Sequence, residues 1–344
     1  MSKPKLPLSP DFIQAHDSKL TPLLSRFKNS GALHSTLLFS GVEGVGKKSL
    51  VLYFVQMLFC DEFPNIIKPC GSCKSCIRSS QQDQWLDFYW FEPESNDEGT
   101  RMGQHKVEVF RELKAKFGLG PSEEPFKIVV IAEAERMTPS AANSILKMLE
   151  EPPKNWIFIL TASDSSRLLP TILSRCNEIK LSPLSPESIY LILKNSKDID
   201  LNSARGKVAS RAAMGSLSRA IIFSEDEAWE LRTQIFNFLA HPAGEWSKLV
   251  DTLARGQREM HLGLDLIESI LSDILHELVN GASHEWTHDD QKEMLTLLIQ
   301  RKKLNHETVL FAFEKIAEMR KLASLTLNAK LLAQEILTAI LAIL

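Results

Sequence analysis

A glycine-rich loop between a short apolar strand and an apolar helix is the feature that most constrains the fold of this chain. Residues 37–39 predict a buried strand, residues 41–47 read Gly-Val-Glu-Gly-Val-Gly-Lys, and residues 50–58 predict an apolar helix. In this context glycines let backbone N–H groups curl around phosphates at a helix N-terminus, and the lysine reaches the outer phosphates. A chance glycine turn is the alternative. The candidate phosphate-binding residues of this P-loop are Gly41, Gly44, Gly46 and Lys47.

A second stretch, residues 127–176, has the alternating pattern of a parallel α/β sheet. Residues 127–131 predict a fully buried strand, an apolar stripe over 141–149 predicts a helix that ends before two prolines, and residues 156–160 predict another strand. Ligand sites in open α/β sheets lie at the carboxyl ends of the strands. Glu133 follows the first of these strands and is a candidate contact for a nucleotide phosphate or its metal. A solvated strand end is the alternative.

Two positions depart from the pattern of a P-loop ATPase. Lys48 occupies the place of the Ser or Thr whose hydroxyl binds Mg²⁺, and a lysine ammonium has no lone pair for a metal. Ala132 occupies the place of the metal-orienting aspartate after the strand. Because the divalent ion compensates much of the charge in phosphoryl transfer, the chain is predicted to hydrolyse little or no ATP. Retention of the loop as a packing element is favoured over residual nucleotide binding, and both interpretations stay open.

The cysteines predict a structural metal site. Four thiolates match the closed tetrahedral shell of structural Zn²⁺, and two overlapping C-x-x-C steps bring neighbouring thiols to one ion. A redox C-x-x-C pair and reduced thiols without a metal are the alternatives. Cys176 lies a hundred residues away and is predicted to be a small buried apolar residue. The candidate zinc ligands are Cys60, Cys70, Cys73 and Cys76.

Length and composition limit the class of protein. A chain of 344 residues suggests two or three domains, and 44% apolar with 24% charged residues is typical of soluble globular proteins. No apolar run reaches the roughly 18 residues of a membrane helix, and the first ten residues lack the apolar core of a signal peptide, so we expect a cytoplasmic protein without a membrane. A net charge of −3 offers no global attraction for nucleic acid, so DNA contact needs a local patch or partner subunits.

The region after about residue 184 reads as helical throughout. Two prolines at 183 and 186 punctuate the chain like a linker, residues 187–224 predict short helices, and residues from about 226 to 344 predict long helices.

These motifs together resemble those of the delta-prime family of AAA+ clamp-loader subunits of bacterial DNA polymerase III. The resemblance covers roughly residues 30–180, more weakly residues beyond, and its carriers are HSTLLFSGVEGVGKKSL, CGSCKSC with Cys60, KIVVIAEAERMTPSAANSILKMLEEPP and LLPTILSRC, with GSLSRA and NAKLLAQEIL. It implies an AAA+ P-loop domain over 1–184 with a zinc module at about 60–76, a small helical lid over 185–225, and an all-α collar over 226–344 that holds a five-subunit ring. The implied task is to open the sliding clamp and place it on primed DNA.

The resemblance also assigns a role to Arg175. Ser174, Arg175 and Cys176 match the family's SRC motif, which implies that Arg175 acts in trans, as an arginine finger, on ATP bound by an adjacent tau/gamma subunit. A guanidinium at a subunit edge can neutralise charge on the transferring phosphoryl group. The alternative is an ordinary intersubunit or surface arginine. Arg219 matches the lid's nucleotide-sensing arginine only loosely, because it stands one residue late.

The predicted function is therefore that of a non-hydrolysing, stator-like clamp-loader subunit, with tau/gamma and delta subunits, the sliding clamp and primed DNA as implied partners. An ATP-hydrolysing motor subunit of the tau/gamma type is one alternative, against which Lys48 and Ala132 count. A non-loader P-loop enzyme such as a nucleotide kinase is another. The kinase interpretation leaves the cysteine cluster, the SRC motif and the helical C-terminal region unexplained.

Overall fold

The chain forms two compact units, Met1–Asn195 and Ser196–Leu344. The computed structural model describes residues 9–30, 35–63, 68–80, 86–93, 103–116, 120–195, 203–281, 285–323 and 328–343. The helix Pro186–Lys194 lies in the first unit, where it packs against the helix Pro10–Ala15. The division into an AAA+ domain, a lid and a collar stays a prediction.

A five-stranded parallel sheet organises the first unit. Its strands are β1 (Thr36–Ser40), β2 (Phe88–Phe91), β3 (Lys127–Ile131), β4 (Trp156–Ala162) and β5 (Asn177–Lys180). The spatial order is β2-β3-β4-β1-β5, with every pair parallel. The strands β1, β3 and β4 are buried along their whole length, which explains their mainly apolar sequences. The predicted parallel α/β class is confirmed.

Helices cover the sheet and fix the loops at its edges. They are α1 (Pro10–Ala15), α2 (Asp17–Ser30), α3 (Lys47–Phe59), α4 (Lys74–Ser80), α5 (Val107–Ala115), α6 (Pro139–Glu150), α7 (Pro170–Leu173) and α8 (Pro186–Lys194).

Helix α6 shows how local sequence sets these boundaries. The Thr138 hydroxyl accepts a hydrogen bond from the Ala141 N–H at 3.2 Å, and Pro139 occupies the first turn, where its missing N–H is not needed. The buried face of α6 carries Ile145 and Leu149 into the core beneath the sheet, together with α5.

The second unit is helical in all of its described elements. These are α9 (Ser203–Ala212), α10 (Leu217–Phe223), α11 (Asp226–Ala240), α12 (Pro242–Leu253), α13 (Gln257–Asn280), α14 (Lys292–Lys302), α15 (His306–Ala323) and α16 (Ala329–Ile343). The helix α13 packs along α15, and α16 packs on α12 and α15. The predicted helical C-terminal region is confirmed for the described residues. Among those residues, no helix is both long and apolar enough to cross a membrane.

Candidate functional site

The parallel sheet separates the predicted site residues onto two edges. The P-loop follows β1, and Glu133 follows β3, so both lie at the carboxyl edge of the sheet. The SRC motif precedes β5 and therefore lies at the amino edge. The five residues of β1 span about 16 Å at about 3.3 Å per residue. The structure therefore places Arg175 and the chain's own P-loop about one strand length apart.

The glycines of the P-loop adopt conformations that other residues rarely reach. Gly46 has φ +97°, and a Cβ there would lie 2.4 Å from the Phe12 ring. Gly41 has φ +150°, and a Cβ there would lie 2.6 Å from the Leu181 carbonyl oxygen. Gly44 has φ +77°. The loop thus joins β1 to α3 as predicted, with α1 packed closely against its last glycine.

The Lys47 ammonium is bound within the first unit. Its Nζ donates to the carbonyl oxygens of Gly41 at 2.7 Å and Val42 at 3.0 Å, and to the Ser163 hydroxyl at 3.2 Å. A lysine ammonium has three N–H donors, so these partners use all of them. The side chain is buried, and burial lowers the pKa of Lys47. The predicted phosphate-binding lysine therefore closes the loop on itself.

Lys48 forms a charged bridge between the ends of two strands. Its Nζ lies 2.6 Å from Glu133 and 3.2 Å from Glu92, which follow β3 and β2. Burial lowers the pKa of Lys48, but the hydrogen bond and charge of Glu133 outweigh it, so the pKa is raised overall. The Glu133 carboxylate also contacts Arg136 Nε at 3.1 Å. The contact of Glu133 in this structure is thus a lysine in the place of the usual metal-binding hydroxyl. Sequence reasoning missed Glu92 because nothing local marks it.

The place of the metal-orienting aspartate is a closed apolar position. Ala132 is fully buried, and its carbonyl oxygen lies 2.6 Å from His105 Nε2. The nearby Glu135 accepts the Ser163 N–H at 2.8 Å through Oε1. Its Oε2 is buried and has no hydrogen-bond partner in the described part of the chain.

Arg175 lies in an open pocket at the amino edge of the sheet. Its Nη1 donates to the Thr171 carbonyl oxygen at 2.8 Å and its Nη2 lies 3.1 Å from the Glu150 carboxylate. Its Nε–H is buried and lacks a hydrogen-bond partner among the described residues. The pocket has a volume of about 410 Å³ and is lined by Ser35, Thr36, Leu149, Glu150, Ser174 and Arg175.

The other two residues of the SRC motif support the turn into β5. The exposed Ser174 hydroxyl donates to the Thr171 carbonyl oxygen at 3.2 Å. Cys176 is half-buried against the core, and burial raises its pKa to about 12. Cys176 thus behaves as the small apolar residue that the sequence predicts, although it is less buried.

The four clustered cysteines fit a tetrahedral metal site. Their sulfur atoms all lie within 4.8 Å of one another, close to the roughly 3.8 Å sulfur–sulfur spacing that follows from four Zn–S bonds of about 2.3 Å. Backbone N–H groups donate to these sulfurs: Cys70 to Cys60 at 3.4 Å, Cys73 to Cys70 at 3.3 Å, and Cys76 to Cys73 at 3.4 Å. Hydrogen bonds from Ser72 lower the pKa of Cys70 to about 6. All four are free thiols, so a metal ion could bind there.

Comparison with known proteins gives a match over the part of the chain that contains the P-loop, the four cysteines and the SRC motif. A family described as "DNA polymerase III, delta subunit" matches residues 16–185. The DNA polymerase III subunit delta' of Escherichia coli strain K12 is 30% identical over 236 residues, which are 68% of this chain and 68% of that protein. The chain belongs to the DNA polymerase III delta-prime family. The delta' subunit of Bacillus subtilis strain 168 is 29% identical over 71% of this chain and 72% of its own.

The chain is also similar to tau and gamma subunits of DNA polymerase III. The Escherichia coli tau subunit is 28% identical over 315 residues, which are 89% of this chain and 44% of tau. Among solved structures, a gamma-subunit-related protein from Thermotoga maritima covers 93% of this chain and 97% of its own, with 17% identity and a TM-score of 0.45. A TM-score of that size is too low to compare individual positions.

Arg219 lies outside residues 16–185, which the family model matches. Its Nη2 lies 3.2 Å from Asp265 and 3.4 Å from Glu268, both on α13. Arg320 on α15 contacts the same two carboxylates at 2.6 and 2.8 Å. In this structure Arg219 therefore links helices of the second unit, and a nucleotide-sensing role remains a prediction.

Proposed function

We propose that this chain is a non-hydrolysing, stator-like delta-prime subunit of a DNA polymerase III clamp loader. In this proposal it joins tau/gamma and delta subunits, and Arg175 acts in trans on ATP bound by an adjacent tau/gamma subunit while the sliding clamp is placed on primed DNA. The proposal keeps the division into an AAA+ domain (1–184), a lid (185–225) and a collar (226–344). The observation that carries it is the position of Arg175 at the sheet edge opposite the chain's own P-loop.

Distance and exposure support a role in trans for Arg175. The P-loop of the same chain lies about one strand length away, far beyond the reach of a side chain. The open pocket beside Arg175 leaves its guanidinium accessible to a group from another chain. A guanidinium binds phosphate oxygens through parallel N–H groups, as required for compensating charge during phosphoryl transfer.

The state of the P-loop supports the absence of hydrolysis. The Lys47 ammonium is occupied by loop carbonyls, and Lys48 holds Glu133 and Glu92 where the hydroxyl ligand of a metal would stand. Ala132 has no carboxylate to orient a metal. ATP binding by Gly41, Gly44, Gly46 and Lys47 would require Lys47 to leave its present partners. We therefore propose that the loop is a packing element and does not bind nucleotide.

A structural zinc ion is part of the proposal. Four sulfur ligands would complete its tetrahedral shell and leave no open position for catalysis. The ion would then serve to fold residues 60–76 rather than to take part in a reaction. The ligands would be Cys60, Cys70, Cys73 and Cys76.

A tau/gamma-type motor subunit is the second candidate. The similarity to tau extends over 89% of this chain, more than the 68% shared with the Escherichia coli delta' subunit, and Lys47 is present. Both metal contacts are missing, because Lys48 and Ala132 stand in the places of the hydroxyl and the aspartate. Their loss favours the stator function.

The test is the ATPase activity of a loader reconstituted with Arg175→Ala in place of the wild-type chain. We expect clamp- and DNA-stimulated turnover to fall partially, because one composite site loses an arginine worth about 10³ to 10⁵ in rate at that site while the other sites keep theirs. Folding, zinc content and assembly should stay unchanged. Arg167→Ala, which removes an exposed arginine after β4, is the control. Equal turnover of Arg175→Ala and wild type at saturating subunit concentration would exclude the role in trans.

A further inference from the structure

The guanidinium of Arg175 is held by two oxygens of its own segment, the Thr171 carbonyl and, at 3.4 Å, the Ser174 hydroxyl, and by the carboxylate of Glu150 on another helix. Its Nη1 donates to the Thr171 backbone carbonyl, which stays in place as long as α7 is folded. Its Nη2 binds the carboxylate of Glu150, a side chain that is 56% exposed and lies at the end of α6. An exposed ion pair of this kind changes an equilibrium constant by only about two- to fivefold. The contact with the Thr171 carbonyl is thus a fixed anchor, and the contact with Glu150 is replaceable.

Glu150 and Arg175 line the same open pocket. The remaining lining residues are Ser35, Thr36, Leu149 and Ser174, so Arg175 supplies the only positive charge and Glu150 the only negative charge among the lining residues, all of which are described. A phosphate that enters this pocket meets the guanidinium together with a carboxylate already bound to it. Carboxylate and phosphate oxygens use the same N–H groups of an arginine. The two anions therefore compete for Nη2.

We propose that Glu150 is a charge gate for Arg175. Its carboxylate holds Nη2 until a phosphate group of a nucleoside triphosphate, bound by an adjacent subunit, displaces it. The Thr171 carbonyl retains Nη1 during the exchange, so the guanidinium stays in the pocket and changes one partner. Glu150 is a positioning residue in this scheme, which rests on the proposed role of Arg175 in trans.

A consequence is that the gate opposes nucleotide binding at the composite site. Removing the negative charge of Glu150 leaves Nη2 without its competitor and removes a repulsion between carboxylate and phosphate. The apparent affinity of that site for ATP should rise, while the positions of Arg175 and Thr171 are retained.

The experiment measures the ATP dependence of turnover in reconstituted loaders. Glu150→Gln should lower the half-saturating ATP concentration of the abutting site about two- to fivefold. Glu150→Asp keeps the charge and should behave as wild type. Glu151→Gln removes the same charge one residue further along the chain, at the C-cap of α6, and should also behave as wild type.

A double variant shows whether Glu150 acts through Arg175. In the Arg175→Ala background, Glu150→Gln should no longer change the half-saturating ATP concentration, because the effect of a gate disappears with the group it gates. An unchanged or raised half-saturating concentration in Glu150→Gln, with turnover still lowered by Arg175→Ala, overturns the gate and leaves the proposed function standing. Equal turnover of Arg175→Ala and wild type overturns both.

Discussion

The cationic side chains of Lys47, Lys48 and Arg232 are buried or half-buried, and each is compensated within its own unit. Lys47 donates to two loop carbonyls and a hydroxyl, and Lys48 pairs with two carboxylates. Arg232, also buried, donates to His288 Nδ1 at 3.1 Å and pairs with Asp290. Such compensation is necessary because an unpaired buried charge costs several kcal/mol. At the P-loop the compensation uses the groups that a phosphate and a metal would otherwise meet.

The buried His288, which accepts a hydrogen bond from Arg232, is expected to make the second unit sensitive to acid. His288 is fully buried with Nε2 at 2.9 Å from the Ser269 hydroxyl, and burial, followed by the charge of Arg232, lowers its pKa from 6.5 to about 3. Below pH 6.5 the unfolded chain takes up a proton that the folded chain refuses until about pH 3. The free energy of unfolding should therefore fall with decreasing pH across this window, by up to about 1.4 kcal/mol per pH unit.

Urea unfolding at a series of pH values between 7 and 5 checks this expectation. His288→Asn is the comparison, because the amide oxygen can still accept from Arg232 Nε but does not titrate. The variant should be less stable at pH 7 and should show a smaller pH dependence. Equal slopes for the two proteins would mean that His288 is not the titrating group.

Helix α4, which bears Cys76, is joined to the sheet by a chain of hydrogen bonds. The Ser75 hydroxyl on α4 donates to Glu124 at 2.9 Å, and the Glu124 N–H donates to Asp87 at 3.0 Å. Asp87 is fully buried just before β2 and also accepts from the N–H groups of Ser122 and Glu123. Order in α4 is therefore coupled to the start of β2.

Substitution of one proposed zinc ligand tests the structural role of the cysteine cluster. Cys73→Ser should lose most of the bound zinc, because the serine hydroxyl is a poor replacement for a thiolate in a four-sulfur shell. It should also lower the amide hydrogen-exchange protection of residues 68–80, since metal binding contributes to local folding free energy. Elemental analysis and hydrogen exchange measure the two effects. Cys176→Ser is the matched control and should keep one zinc per chain. Full zinc retention in Cys73→Ser would contradict the ligand assignment.

The two edges of the sheet differ in their access to a neighbouring subunit. In the proposed function, only the amino edge is open to a neighbour's nucleotide. The P-loop at the carboxyl edge is closed by internal contacts of Lys47 and Lys48. Arg175 at the amino edge borders an open pocket. A loader subunit of this kind would contribute to ATP turnover through its surface and not through its own loop.

This arrangement predicts that the isolated chain does not hydrolyse ATP. Loader reconstituted with Lys47→Ala should keep its clamp- and DNA-stimulated ATPase, because no step of hydrolysis passes through that lysine. Turnover is measured at saturating subunit concentration, since loss of the contacts of Lys47 with Gly41 and Val42 will destabilise the loop. The P-loop lysine of the tau/gamma subunit, changed to alanine, is the positive control. A loader inactivated by Lys47→Ala would identify this chain as a motor.

Sequence patterns were sufficient to predict the strands β1, β3 and β4, the P-loop and the cluster of four cysteines. Fully buried parallel strands require continuous apolar runs, a loop with positive φ requires glycine, and thiols meet one ion only at short spacing. These requirements are local, and residues 36–59 and 127–162 satisfy them within a few positions.

The tertiary structure alone decided which distant groups meet. It placed Glu92 on Lys48, gave Asp87 the N–H groups of residues 122–124, and set Glu150 beside Arg175 at the edge opposite the P-loop. Each contact joins groups from different elements, more than twenty residues apart in the chain. Periodicity and spacing report only on the element in which they occur, so a single charged residue such as Glu150 gives no local sign of its partner. The strand order β2-β3-β4-β1-β5 and the packing of α6 and α7 bring these partners together.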